Sequence, residues 1–298
     1  MALLRMWQSH FKRENSMAKD MTTGSPAKHI IAFAIPIFIG SIFQQFYNIV
    51  DTMIVGRFVG VNALAAVGST SSIMFCVQGI AMGMTTGFGV VVSQAFGAKN
   101  EKGLRHSVAM SKYLTLILSV AVTTILLLAN KPLLRTMNTP DEIFGGASAY
   151  LGIIFAGFCA TMAYNLFAAI LRAIGDSKTP LYFLIVSSVL NIVLDLVFVI
   201  NFQMGVAGVA YATVIAQAVS AVLCFIYMKK KYPQVMNANT EEKKFSGKSA
   251  ARLMGMGIPM ALQFSITALG TMIVQSTLNL LGETAIAAYA AAQKLQGL

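Results

Sequence analysis

Of the eleven Asp and Glu residues in the chain, only Asp51 and Asp195 fall inside long apolar runs. A carboxylate at the centre of a bilayer costs about 2.5–3.5 kcal/mol or more, so an acid held there is a functional hypothesis by default. The spacing puts both at one depth. Asp51 precedes Arg57 by six residues, Asp195 precedes Asn201 by six, and both runs cross in the same direction. At a helical rise of 1.5 Å, each acid lies about 9 Å below the end of its helix. Asn191 comes four residues before Asp195, one turn deeper on the same face. Thr213 lies about seven residues into the next run, which returns from that end, so it reaches a similar depth.

Two carboxylates that approach each other in a low dielectric cannot both stay charged unless a cation sits between them. Such a pair can trade Na⁺ for H⁺. An all-oxygen set of carboxylate, amide and hydroxyl suits a hard cation. Asp51, Asn191, Asp195 and Thr213 are therefore the candidate cation or proton site, with Na⁺ as its one candidate metal. The competing reading is structural: Asp51 pairs with Arg57, and Asp195 is capped by Asn191 and water. Tyr47 and Asn48 lie a turn or less below Asp51. Gln44, Gln78, Asn165 and Gln217 also fall within apolar runs. Most intramembrane amides make interhelical hydrogen bonds. Gln44, Tyr47, Asn48, Gln78, Asn165 and Gln217 are the candidates for lining an aqueous substrate cavity.

These residues need apolar helices to hold them, and the composition supplies little else. The chain has 298 residues, 56% hydrophobic and only 11% charged, with a mean hydropathy of +0.70. A soluble domain carries about 25% charged residues. A soluble enzyme, a nucleic-acid-binding module and a disordered chain are excluded together. Cys76, Cys159 and Cys224 all lie in apolar runs, which excludes a disulfide scaffold. His10, His29 and His106 are too scattered for a metal site, and no nucleophile–base pair suggests an enzyme. A bilayer crossing needs about 20 apolar residues. Seven runs qualify, at roughly 29–57, 62–94, 107–130, 144–171, 180–201, 206–228 and 252–281, and an eighth begins near 284. The fold class is an all-α integral membrane protein, with the bilayer as its first partner.

Loops on the cytoplasmic side collect Lys and Arg. With the N-terminus inside, eighteen basic residues fall inside, and only Arg57, Lys131 and Arg135 fall outside. The net charge of +11 is then an anchor against the inner leaflet, not a nucleic-acid surface. Residues 1–27 form a cytoplasmic tail whose Leu3, Leu4, Met6, Trp7 and Phe11 suit a short interfacial helix. Ser25-Pro26 has the pattern of an N-cap followed by Pro at the first helical position. Residues 28–228 hold six spans. Residues 229–251 form the one long polar linker, and 252–298 carry a seventh span and part of an eighth.

The seventh span repeats the first. Ala34-Ile35-Pro36 leading to Gly60 and Ala63-Leu64-Ala65-Ala66 matches Gly257-Ile258-Pro259 leading to Gly282 and Ala285-Ile286-Ala287-Ala288. Six spans per period is an even number, so both copies enter the membrane in the same direction. That predicts a six-helix lobe followed by the first helices of a second, parallel-repeat lobe. The second copy breaks off at Leu298, so the chain reads as the N-terminal part of a two-lobe protein.

Several segments together resemble multidrug and toxic compound extrusion (MATE) transporters. They are Val50-Asp51-Thr52-Met53-Ile54-Val55-Gly56 continuing through Gly60 to Gly68, Gln94-Ala95-Phe96-Gly97-Ala98, and Arg172 through Pro180. Asn191-Ile192-Val193-Leu194-Asp195, Gly205-Val206-Ala207-Gly208 and Ala212-Thr213 complete the set. The resemblance covers about residues 28–298. It implies twelve helices in two lobes, alternating access, and export of hydrophobic or cationic drugs by antiport with Na⁺ or H⁺. It implies an inner-membrane location and no cofactor beyond the coupling ion, and the full-length protein is expected to be a monomer. It also implies a first-lobe cation site at the positions of Asp51, Asn191, Asp195 and Thr213. Some members carry an acid eight residues after the seventh-helix proline. Here that position is Thr267, which puts ion coupling in the first lobe. The alternative function is a flippase for lipid-linked oligosaccharide or another lipid, which would favour buried cations in the cavity to hold a pyrophosphate.

Overall fold

The computed structural model describes residues 25–137 and 139–280, and every regular element among them is helical. Helix α1 spans Pro26–Ile54 and runs into a π-helical turn, Val55–Val59. Helices α2 (Val61–Gly97) and α3 (Glu101–Thr136) follow. A pair, α4 (Asp141–Ala156) and α5 (Phe158–Ala173), is bent by 48° at its junction. Helix α6 (Lys178–Leu196) ends in a second π-helical turn, Val197–Asn201. Then come α7 (Gly205–Lys231), a short α8 (Pro233–Met236) and α9 (Gly247–Leu280). Among the described residues, five helices are long and apolar enough to cross a membrane, and the bent pair makes a sixth. The chain is a multi-pass membrane protein.

The helices differ from the expected runs at their ends. The third expected run, 107–130, lies inside a helix that starts at Glu101 and stops at Thr136, so Lys102, Arg105, His106, Lys131 and Arg135 are helical rather than in loops. Its 36 residues span about 54 Å, longer than the roughly 30 Å of hydrocarbon. Asn100 starts it by accepting the amide of Gly103 at 2.9 Å. Ser25 makes no such cap, and α1 starts on Pro26 alone. The fourth run is broken at Gly157, where an added side chain would collide with Val214 of α7. Pro36 and Pro259 both sit within continuous helices. The N-terminal tail, the second half of the repeat signature and the eighth span lie outside the described residues.

The turns α2–α3, α5–α6 and α7–α9 share one end of the bundle, here termed the basic end. One core cluster lies there, around Phe88, Met110, Ile170, Leu171, Ile174, Met228 and Leu253. The other lies toward the far end, around Val55, Leu134, Tyr150, Leu151, Phe155 and Val209. The expected polar linker is not a solvated tether. Tyr232, Val235 and Met236 are buried in the basic-end core. Helix α9 packs closely along α2, where a Cβ on Gly83 or Gly87 would strike the backbone of Ala261 or Gly257. Helix α1 is the most exposed of the crossing helices and leans chiefly on α6, through Gly40 against Leu181 and Leu184.

Candidate cation site

Asp51 and Asp195 face each other between α1 and α6, their carboxyl groups within hydrogen-bonding reach. The buried face of α6 explains the placement. Thr179, Phe183, Ser187, Ser188, Asn191 and Asp195 are buried at helical spacing, while Tyr182, Val186, Val189 and Val193 face outward. Asp195 is completely inaccessible and Asn191 is 1% exposed. Asp51 is half-buried, with its Oδ1 shut off from solvent. Asn191 Nδ2 donates to Thr213 Oγ1 across to α7 at 3.4 Å, and Thr213 donates on to Val209 O at 3.0 Å. The four residues chosen by spacing therefore converge from three helices. Arg57 does not join them: it lies 6.0 Å from the Phe58 ring, and no ion pair links it to Asp51.

The site has a surplus of acceptors. Both Asp195 oxygens, Asp51 Oδ1 and Asn191 Oδ1 are buried and receive no hydrogen bond from a protein donor. A buried acceptor left unmet costs about 1–3 kcal/mol, and more when charged. Two facing carboxylates offer each other only lone pairs. A proton on one of them, or a cation between them, turns that contact into an attraction. Among the described residues no three His, Cys, Asp or Glu side chains cluster, so any metal held here would rest on two carboxylates with amide and hydroxyl support.

Spacing could not foresee two features. Tyr150 of α4 is buried near enough to both aspartates to feel their charge, and it comes from a distant helix with no sequence signal to tie it to them. The π-helical turns begin within four residues after the acids, at Val55–Val59 and Val197–Asn201, and touch each other. Such wide turns occur frequently at functional sites. Gly60, at φ 114°, lets the chain leave the first of them.

The candidate cavity residues separate. Tyr47 joins the acid site, within reach of Thr213 and close to Asp51 and Tyr150. Gln217 lies one turn from Thr213 on α7, its Oε1 buried without a donor. Asn165 donates to Thr161 O of its own helix at 2.9 Å, and Asn48 to Gln45 at 3.5 Å. Gln44 and Asn48 are exposed on α1, and Gln78 is half-buried on α2. A cavity of 570 Å³ runs along the first turns of α1, lined by Phe33, Ile37, Phe38 and neighbours, and by none of these six. Thr267 donates to Gln263 O of its own helix at 3.0 Å.

A family model described as MatE matches residues 36–197, more than half of the chain and inclusive of Asp51, Asn191 and Asp195. The chain belongs to the MATE family of transporters. It is 30% identical over 281 residues to the probable multidrug resistance protein YpnP of Bacillus subtilis, covering 94% of this chain and 62% of that one. It is 27% identical to the probable multidrug resistance protein NorM of Thermotoga maritima, over 88% of this chain and 57% of that one. It superposes on the outward-facing conformation of a multidrug resistance MATE transporter with a TM-score of 0.87 at 26% identity, over 95% of this chain and 63% of that one. This MATE chain thus spans about three fifths of the length of the relatives it matches.

Proposed function

We propose that this chain forms the first lobe, residues 28–228, and the opening helices of the second lobe of a secondary-active multidrug exporter. The coupling ion is Na⁺ or H⁺, and it is bound by Asp51, Asn191, Asp195 and Thr213. The carrying observation is the facing of a buried and a half-buried carboxyl across α1 and α6. The names of the relatives support drugs as the cargo. The basic end lies in the cytoplasm of a bacterial inner membrane, with the N-terminus, because the cations gather there.

Ion entry from outside meets the unpaired oxygens of Asp195 and Asp51. Loading draws α1 toward α6 and α7, and emptying lets like charges push α1 away. Helix α1 is the element free to respond, since most of its surface is exposed and it leans chiefly on α6. Its movement changes the wall that a hydrophobic or cationic drug meets, so that loading lowers drug affinity on the outer side. In the complete transporter, Asp195→Asn should abolish drug resistance while leaving expression unchanged. Undiminished dye efflux by that variant would reject the mechanism. Efflux from vesicles given a Na⁺ gradient or a pH gradient, one at a time, identifies the ion.

A further inference from the structure

The linker carries an arrangement that ion coupling does not use. Arg105, one turn into α3, donates twice to Glu242, from Nε to Oε2 and from Nη2 to Oε1, each at 2.8 Å. Glu242 Oε2 also accepts the amide of Asn239 at 2.9 Å. Next along α3, His106 reaches the carbonyl of Glu242 and the hydroxyl of Ser249, both at 2.9 Å. The strap is thus held at both ends, by residues that begin one helix and residues that lead into another.

Both of its acids are consumed within the protein. Glu242 is taken by Arg105, and Glu241 pairs with Lys244 at 2.7 Å. Lys243 and Lys248 are exposed and enter no ion pair among the described residues. Lys243 also lies near enough to Lys112 to feel its like charge. Between these lysines stands Phe245, 61% exposed. Its level along the bundle is informative. Arg105 precedes Tyr113 by eight residues, about 12 Å of helix, and Tyr113, Leu116 and Ile117 begin the exposed apolar surface of α3. The strap therefore sits on the headgroup side of that apolar surface, at the outer edge of a polar layer roughly 5–8 Å deep, so that Phe245 reaches the interface by pointing inward.

We propose that residues 239–248 form a membrane hook, in which Phe245 enters the bilayer interface and Lys243 and Lys248 bind anionic lipid headgroups. Aromatic rings favour that interface, and lysines beside it gain from anionic lipid. An acidic protein partner would leave Phe245 without an apolar host. The inference rests on the membrane reading but not on the ion site.

The test places a reporter at the tip. Phe245→Trp is made in a Trp7→Phe background, since Trp7 is the single tryptophan. The full chain is reconstituted in vesicles of phosphatidylcholine alone or mixed with phosphatidylglycerol, with acyl chains brominated near the headgroup. Quenching by bromine should be stronger with phosphatidylglycerol, and it should weaken in salt. Lys243→Glu with Lys248→Glu should lower it several-fold. Equal quenching in both vesicles overturns the role of the lysines. Free access to aqueous iodide in both overturns the hook. Protection from both quenchers means that protein covers Phe245, and this also overturns it. Both leaflets have one composition, so the result does not depend on orientation. Labelling of Lys244→Cys in cells, from outside or only after permeabilisation, reads orientation separately.

Discussion

Asp195 is the residue on which the proposed coupling turns, because among the described residues nothing donates to either of its oxygens. In the proposed mechanism its neighbours set how tightly an ion is held. Thr213 is met by Asn191 at 3.4 Å and lies within reach of Tyr47, so its hydroxyl ties three helices at one point. Thr213→Val keeps the shape and removes the oxygen. Hydrogen bonds to charged groups contribute about 1.5–3 kcal/mol, so the cation concentration for half-maximal efflux should rise at least about tenfold. The maximal rate should change less. An unchanged cation dependence would remove Thr213 from the site. That the two aspartates, Asn191 and Thr213 lie at one level was readable from spacing because a helix converts sequence separation into depth and face. Tyr150 was not, since contact between distant helices leaves no local pattern. Nor was the separation of Tyr47 from Gln44, which share one helix and differ in what packs above them.

At the scale of elements, the weight of the fold lies where helices approach backbone to backbone. Gly83 and Gly87 let α9 lie against α2 with no side chain between. Gly83→Val should overpack that crossing at a cost of about 1–3 kcal/mol or more. This is read as a lowered melting temperature in detergent, with Gly68→Val, which meets open space, as the control. Helices α6 and α7 are joined differently. Ser187 donates to Ala216 O at 3.0 Å and Ser220 to Phe183 O at 3.2 Å, one bond in each direction. Ser187→Ala with Ser220→Ala should cost roughly 1 kcal/mol in total, near 0.6 for each interhelical bond. The loss should also raise the cation requirement, because these helices carry Asn191, Asp195 and Thr213. A double variant with native melting and native cation dependence would show that the bonds do not position the site.

At the scale of the molecule, the strap of residues 239–248 joins α8 to α9 and is tied to the start of α3. The two charge-assisted bonds from Arg105, with the Asn239 amide, hold the Glu242 carboxyl down to about 2. Its folded value lies below the ordinary 4.5, so its contribution is complete above 4.5 and is lost as pH falls toward 2. Pepsin should therefore cut near Phe245 slowly at pH 4 and faster at pH 2. In Glu242→Gln the cutting should already be fast at pH 4. Equal rates for the two proteins at pH 4 would mean that the ion pair does not hold the strap. Hydropathy determined that the chain is a helical membrane protein and roughly where its crossings lie, and residue spacing determined which two acids share a layer. Those properties are periodic or additive along the chain, so they survive without knowledge of packing. Only the tertiary structure decided that the fourth span breaks at Gly157, that the two acids face each other, and that the polar linker is strapped down. Each of these depends on which surface of one helix meets another, and van der Waals contact between remote segments has no period in the sequence.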